Sequence, residues 1–439
     1  MNKTMHLGAF LHGFGHHQAA WRHESTFLDS EFSFQHYLNL TRTAERGCFD
    51  LVFLADSAGF RDWDISALRR MPRVAVMEPL TLLAALAVST ENIGLVATTS
   101  TTYNEPYTVA RMFASLDVLS GGRIGWNLVT STSESEAMNY HLASQIEHSK
   151  RYQRAEEFYR VVEGLWRSWE ADAFVRDKSA GIYFDPERLR TLNHKGEFFS
   201  VRGPLNAPPS PQGRPVVVQA GSSDDGKELA ARTADAVFTA QPTLENAQKF
   251  YADLKGRMSR YGRAADELKI LPGILPIVGE TQSEAERKFE ELQTLVHEDI
   301  GLNQLKDLFG GFDLSRYDLD GPLPDIPETE GGKSRRQVLV DMARRDSLTI
   351  RQLYQRTTAA RGFLPLIGTP SFIADEMERW LTSAGCDGFN VMAPVMPRDL
   401  AEFVDHVVPE LQKRGLMNRG YPQKTLRARL GARNASVAD

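Results

Sequence analysis

Pro215-Val216-Val217-Val218-Gln219-Ala220-Gly221-Ser222-Ser223 decides the fold class. Residues 216–218 are apolar on both faces, which predicts a parallel strand over 216–219 buried between a barrel interior and covering helices. The run empties into a small, hydroxyl-bearing turn ahead of the helical pattern Gly226-Lys227-Glu228-Leu229-Ala230-Ala231-Arg232. Two readings of that turn stand side by side. Ser222, Ser223 and Asp224 are favoured N-cap residues. Exposed backbone N–H groups, two hydroxyls and a positive helix end also suit a phosphate.

Seven further strand patterns lie at residues 5–11, 50–55, 93–100, 123–129, 236–239, 268–278 and 388–392. Helical patterns fall between them at 34–46, 79–89, 106–119, 151–169, 226–233, 244–260 and 370–384. Alternation of this kind predicts repeated βα units. The expected fold is α/β, a (β/α)8 TIM barrel with helical insertions. Two connections far exceed the two to six or so residues of an ordinary βα loop, at about 171–214 and 280–366. The second holds a Pro- and acid-rich patch at 318–332, then Ser334–Gln337 and Thr349–Gln352 in capping-box form. The expectation is one barrel domain over 1–439 with both segments as insertions.

The 439 residues are 42% hydrophobic and 25% charged, with a formal net charge of −6. That balance argues against a nucleic-acid binder, which shows a basic face, and favours a small-molecule partner. Cys48 and Cys386 are the only cysteines, so no disulfide framework is expected and a reducing, cytoplasmic setting is favoured. The amino terminus is too interrupted for a secretory segment, and no long apolar window predicts a membrane span.

In a (β/α)8 barrel the site lies at the carboxyl ends of the strands. The residues closing the strands are Asp56, Thr102, Asn127, Thr130, Ser222, Ser223 and Asn390. One carboxylate among hydroxyls and amides positions a cofactor and offers few candidates for general acid or base. No catalytic residue is assigned. His148 and Tyr152 lie four apart at the head of an amphipathic helix, on one face; they read either as a surface capping cluster or, with the Ser222-Ser223 turn, as the two sides of a phosphate site. The opening loop carries His12, His16 and His17, then Trp21 and His23. Without cysteine or a paired-histidine motif it is read as a loop at the barrel mouth that touches substrate or a flavin ring, and no metal is expected. No Gly-x-Gly-x-x-Gly turn, Walker lysine loop or Gly-x-Ser-x-Gly elbow is present, so hydride from a nicotinamide is expected to arrive through another protein.

Longer stretches carry a resemblance. They include Ala20-Trp21-Arg22-His23, Phe53-Leu54-Ala55-Asp56-Ser57, Thr102-Tyr103-Asn104-Glu105-Pro106, Gly121-Gly122-Arg123-Ile124-Gly125-Trp126-Asn127, Arg202-Gly203-Pro204-Leu205-Asn206, Gln219-Ala220-Gly221-Ser222-Ser223 and Asp387-Gly388-Phe389-Asn390. In these the chain resembles the flavin-dependent monooxygenases of the bacterial-luciferase-like superfamily, in the group of the nitrilotriacetate, EDTA, dibenzothiophene-sulfone and pristinamycin IIA enzymes. The resemblance implies a two-component enzyme that uses reduced FMN from a separate NAD(P)H:flavin reductase. Oxygen would add at flavin C4a, and a small organic substrate would be oxygenated. It also implies flavin contacts from Asp56, Thr102, His148, Tyr152 and Ser223, with Gly221 and Ser222 beside them and Asn127 near the ring, and a homodimer or homotetramer. The chain departs from the family pattern at His141, where relatives often have Gly, and in the variable loop from His12 to His17. His12, His17, Trp21 and His141 are therefore the substrate-pocket candidates. A flavin-degrading lyase acting on riboflavin and a non-catalytic flavin-binding protein are the alternatives.

Overall fold

A computed structural model describes residues 4–60, 65–327, 333–360 and 363–432. Eight parallel strands close on themselves: β1 (His6–Phe10), β2 (Leu51–Leu54), β3 (Gly94–Ser100), β4 (Ile124–Val129), β5 (Val216–Gln219), β6 (Ala236–Thr239), β7 (Lys269–Val278) and β8 (Gly388–Val391). They neighbour one another in chain order, with β7 closing onto β8 and β8 onto β1. Followed once round, the pairing that starts at Asn390 returns eight residues earlier on the same line. Eight strands with a shear of eight tilt by about 36° and fill their interior with layers of four side chains from alternate strands.

The register gives those layers directly. Leu51, Gly125, Ala236 and Gly388 form a layer of small volume near the strand starts. Leu426 and Leu430, from the C-terminal helix Leu426–Arg429, pack with Leu51, Val96, Val216 and Ala236 and fill the space these leave. Above them lie Gly8, Val96, Val218 and Leu271, then Phe53 and Phe238 alternating with Asn127 and Asn390. The two phenyl rings meet edge to face across the axis, with centroids 4.5 Å apart. The barrel therefore turns polar toward its carboxyl end.

Helices cover the outside: α1 (Phe34–Arg46), α2 (Pro79–Ala87), α3 (Pro106–Leu119), α4 (His148–Trp166), α5 (Asp224–Thr233), α6 (Leu244–Met258), α7 (Pro370–Thr382) and α8, which runs Arg398–Glu402, through a π-helical turn at Phe403–Val407, into Val408–Lys413. Side-chain caps start several of them. Ser33 accepts from His36 N–H, Thr243 from Asn246 N–H and Thr369 from Phe372 N–H.

Three features were absent from the sequence reading. The expected 280–366 insertion ends inside a ninth strand, Leu364–Gly368, paired with Ile274–Val278 of β7. Because Ile274 pairs with Val391 and Leu364 at once, this strand lies on the β6 side, beyond the short β6. That segment carries the helices Gln282–Thr294, Glu298–Leu308, Lys333–Arg345 and Ile350–Ala360, with an apolar cluster of its own around Leu305, Phe309, Leu353 and Tyr354. Thr349 and Gln352 form the reciprocal capping box, at 3.0 and 3.1 Å; the side chains of Ser334–Gln337 and residues 328–332 of the acidic patch lie outside the described residues. The second feature is α8, and the third is the C-terminal plug. The 171–214 segment is strand-poor, with a minimal hairpin His194–Lys195 and Ser200–Val201.

Asp235 locks the plug to the barrel. Its carboxylate accepts from Arg214 at 3.0 and 3.1 Å, from Arg427 at 3.0 and 2.9 Å, and from Val217 N–H at 2.8 Å. Burial alone would raise its pKa, but the two guanidinium groups and the N–H hold it well below the usual carboxylate range. A depressed folded pKa means that the pair's stabilisation is complete above the unfolded value near 3.9 and is lost as pH falls below it. Asp235→Ala strands two buried cations and is expected to cost about 3–5 kcal/mol in urea unfolding at pH 7; a cost under about 1 kcal/mol would rule the clamp out as a major support.

Candidate functional site

The turn after β5 is shaped by glycine. Ser223 caps α5, its Oγ accepting from Gly226 N–H at 3.1 Å, so the capping reading of the sequence holds in the structure. Tyr152 Oη lies 3.4 Å from the same Oγ. A Cβ on Gly221 would stand 3.0 Å from Gly226 Cα, and one on Gly226 would stand 3.0 Å from Tyr152 Oη. Two residues without side chains let the phenol descend onto the helix start. His148 stands one turn before Tyr152 on α4, with ring centroids 4.9 Å apart and Nδ1 3.2 Å from Asp225 Oδ2. Asp224 is drawn aside by Lys227 and Arg257, at 3.0 and 2.9 Å. The corner thus brings together His148, Tyr152, Gly221 and Ser223, with Ser222 exposed beside them. Two helix N-termini face it.

The first turns of α4 also bind the exits of β3 and β4. Arg151 Nη1 donates to the Ser131 carbonyl and Arg154 Nη1 to the Thr101 carbonyl. Arg154 lies over the Phe199 ring, 4.4 Å from its centroid. One turn on, buried Glu157 accepts from His194 Nε2 at 3.0 Å, Phe198 N–H at 3.1 Å and Phe199 N–H at 2.9 Å. A single helix holds the corner, the strand exits and the hairpin of the 171–214 segment.

A cleft of about 650 Å³ opens at the ends of β2, β3 and β4 and runs between α2 and α3. Asp56, Ser100, Tyr103, Ser131, Glu136 and Tyr140 line its inner part; Glu78 and Arg111 line its outer part. Burial pushes the Asp56 pKa up, the Ser57 N–H opposes that, and Glu78 and Glu136 push it further up. Thr102 Oγ1 donates to Thr130 O at 2.6 Å. Asn127 is buried, donates to Thr98 Oγ1 at 2.8 Å, and keeps an Oδ1 without a partner. Tyr103 and Tyr140 stack 4.6 Å apart and 9° from parallel. Glu136 accepts from Ser57 Oγ at 2.8 Å and Ala58 N–H at 3.1 Å, fastening the short helix Glu134–Asn139 to the β2 exit.

The substrate-pocket candidates scatter. His141 adjoins the cleft through Tyr140. Its φ of +63° lies in the left-handed region that glycine adopts at no steric cost, the physical reason for a glycine preference there. His17 is buried against the helix Gln282–Thr294. Its Nδ1 accepts from Ala19 N–H at 3.2 Å, which puts the ring proton on Nε2, 3.2 Å from the Gln293 amide; Gln293 must therefore turn its otherwise unpartnered oxygen to it. Burial lowers the His17 pKa to about 4. Trp21 donates to Arg70 O at 3.1 Å, and the half-buried His12 ring lies 5.9 Å from His16. None of these three lines the cleft. Among the described residues no group of His, Cys, Asp and Glu is placed to hold a metal, and no helix is long and apolar enough to cross a membrane.

Sequence reading missed Tyr103, Tyr140, Glu136, Arg151 and Arg154. Tyr103 and Arg151 each directly neighbour a chosen residue, Thr102 and Tyr152, so a wider window at the strand exits would have included them.

Comparison with known proteins gives the family. A family model described as luciferase-like monooxygenase matches residues 6–388. Nitrilotriacetate monooxygenase component A of Aminobacter aminovorans is 51% identical, with 98% of this chain and 97% of that protein covered. The N-acetyl-S-(2-succino)cysteine monooxygenase of Bacillus subtilis (strain 168) is 49% identical, with coverage of 98% and 97%. A crystal structure of riboflavin lyase, with modified FMN and the substrate riboflavin, superposes with a TM-score of 0.84 at 31% identity, covering 98% of this chain and 97% of that one. With a match of this length and two relatives near half identity, the chain belongs to the luciferase-like monooxygenase family.

Proposed function

We propose that this chain is the oxygenase of a two-component flavin system. It takes reduced FMN from a separate NAD(P)H:flavin reductase and uses O2 to oxygenate a small organic substrate, such as an aminopolycarboxylate or a sulfur- or nitrogen-containing compound. The single observation that carries the reading is the glycine-floored corner of His148, Tyr152, Gly221 and Ser223, found within a monooxygenase family match.

The residues fit such a cofactor on two counts. A Cβ on Gly221 or Gly226 would fill the cradle under Tyr152 Oη, and Asn127 keeps a buried acceptor without a partner at the polar end of the barrel. In this reading Ser222, Ser223, Tyr152 and His148 hold the phosphate, and Gly221 lets it approach the backbone. Asp56, Thr102 and Asn127 border the ring. Reduced flavin supplies the electrons that activate O2, which is the cofactor's own chemistry. The protein orients the reactants and excludes water, and the Glu157 latch keeps the 171–214 hairpin over α4. We also propose one barrel domain over 1–439 with insertions at about 171–214 and 280–366, a cytoplasmic homodimer or homotetramer, and exchange of reduced FMN with the reductase by diffusion or contact.

The test mixes the protein with FMN, NADH, a generic flavin reductase and air, then adds nitrilotriacetate or N-acetyl-S-(2-succino)cysteine. Substrate-dependent oxygenated product is expected, with negligible NADH consumption when the reductase is omitted. The likeness to riboflavin lyase makes riboflavin breakdown the second reading; lumichrome formed from riboflavin with no other organic substrate would replace the first. Ser223→Ala and Tyr152→Phe are each expected to weaken FMN binding by about 1 kcal/mol or more in a flavin titration. Because Ser223 also caps α5, its variant is compared with unfolding in the absence of flavin; unchanged affinity in both variants would remove the phosphate assignment.

A further inference from the structure

Arg151 is a buried cation that the fold leaves uncompensated. It is 8% exposed, its Nη1 reaches the Ser131 carbonyl, its Nε has no partner, and among the described residues no carboxylate pairs with it. Most other enclosed guanidinium groups are matched, and Arg429, whose three nitrogens have no hydrogen-bond partner, lies over the Tyr421 ring, 4.9 Å from its centroid. Arg214 and Arg427 share Asp235, and Arg398 has Asp399. Arg123, also without a carboxylate, donates to Ser120 O, Thr90 Oγ1, Ile93 O, Ala87 O and Thr90 O. Arg151 has neither solution, although a guanidinium carries five N–H donors and a buried unpaired charge is strongly unfavourable.

Its direction identifies what it serves. Neighbouring residues on an α-helix point about 100° apart, so Tyr152 turns to the Ser223 corner while Arg151 turns to the β4 exit. Ser131 and Tyr103 line the cleft there, and Arg151 is close enough for its charge to act on the Tyr103 hydroxyl. The three carboxylates of the cleft are engaged elsewhere: Asp56 by Ser57 N–H, Glu136 by Ser57 and Ala58, Glu78 by Leu80 N–H and Thr81. We propose that Arg151 seats a carboxylate of the substrate at the inner end of the cleft, which narrows the substrate to small carboxylate-bearing molecules. A charge-assisted bond from a guanidinium to a carboxylate is stronger than a neutral one and fixes orientation. This inference rests on the oxygenase reading.

Arg151→Met and Arg151→Lys test it. Dissociation constants for FMN and riboflavin are measured first, then those of nitrilotriacetate, its neutral triamide and N-acetyl-S-(2-succino)cysteine against the flavin-loaded protein by flavin absorbance. Expected for Arg151→Met are at least tenfold weaker binding of a carboxylate probe and FMN affinity within about twofold of the unaltered protein; Arg151→Lys should retain part of the binding. A drop in FMN but not riboflavin affinity would hand the cation to the phosphate and overturn the proposal. So would unchanged carboxylate binding in both variants, or no preference of the unaltered protein for the carboxylates over the triamide. Failure of the oxygenase reading shows separately, as lumichrome formed from riboflavin, or as no oxygenated product when the unaltered protein is supplied with reduced FMN, air and substrate.

Discussion

The buried carboxylate of Asp235 is the constraint on which the rest of the barrel depends. A parallel strand leaves backbone N–H groups unpaired where it begins, and burying them without a partner is costly. Asp235 meets that need for Val217 at 2.8 Å while holding two arginines from separate segments. The device recurs around the same end. Asp50 accepts from Leu7 N–H at 2.9 Å, Asp117 from Ile124 N–H at 3.1 Å, and Asp387 from Ile270 N–H at 2.9 Å. With the strand starts fixed by charge and the hole beneath them filled by Leu426 and Leu430, the opposite end is free to carry polar, irregular chain.

That opposite end is organised by one helix. One face of α4 presents His148 and Tyr152 to the β5 turn, the adjoining one carries Arg151 and Arg154 to the β4 and β3 exits, and Glu157 one turn on holds the hairpin. A shift of α4 would therefore move the Ser223 corner, the strand exits and the hairpin together. The interior prepares this division. Apolar layers stop at the Phe53–Phe238 contact, and the amides of Asn127 and Asn390 share that layer. A buried amide oxygen without a partner is tolerated where a ligand completes it, since an unpaired acceptor otherwise costs about 1–3 kcal/mol.

Much of this was legible along the chain because both signals are local. A run such as Val216–Val218, apolar on both faces and closed by a glycine–serine turn, reads as a doubly covered strand, and all eight barrel strands appeared at their observed places to within one or two residues. The corner was legible for the same reason: glycine, hydroxyls and a helix start fall within eight positions. Leu364–Gly368 was hidden because its pairing partner, Ile274–Val278, lies some ninety residues away and nothing nearby marks it as a strand. The histidine loop misled in the other direction. Four imidazoles close in sequence suggested one surface at the mouth, whereas the fold turns His17 to Gln293, His23 to Arg398 and His16 back onto the Phe10 carbonyl.

By itself the sequence determined the barrel, its order of strands and helices, and the glycine–serine turn with its facing helix, since periodicity, caps and backbone freedom act over a few residues. Only the tertiary structure decided that Arg151 is a buried cation without a carboxylate, that Tyr103 and Tyr140 stack in the cleft wall, and that the C-terminal helix plugs the barrel floor. Burial and charge pairing are properties of side chains from distant segments, and they exist only once the chain has closed.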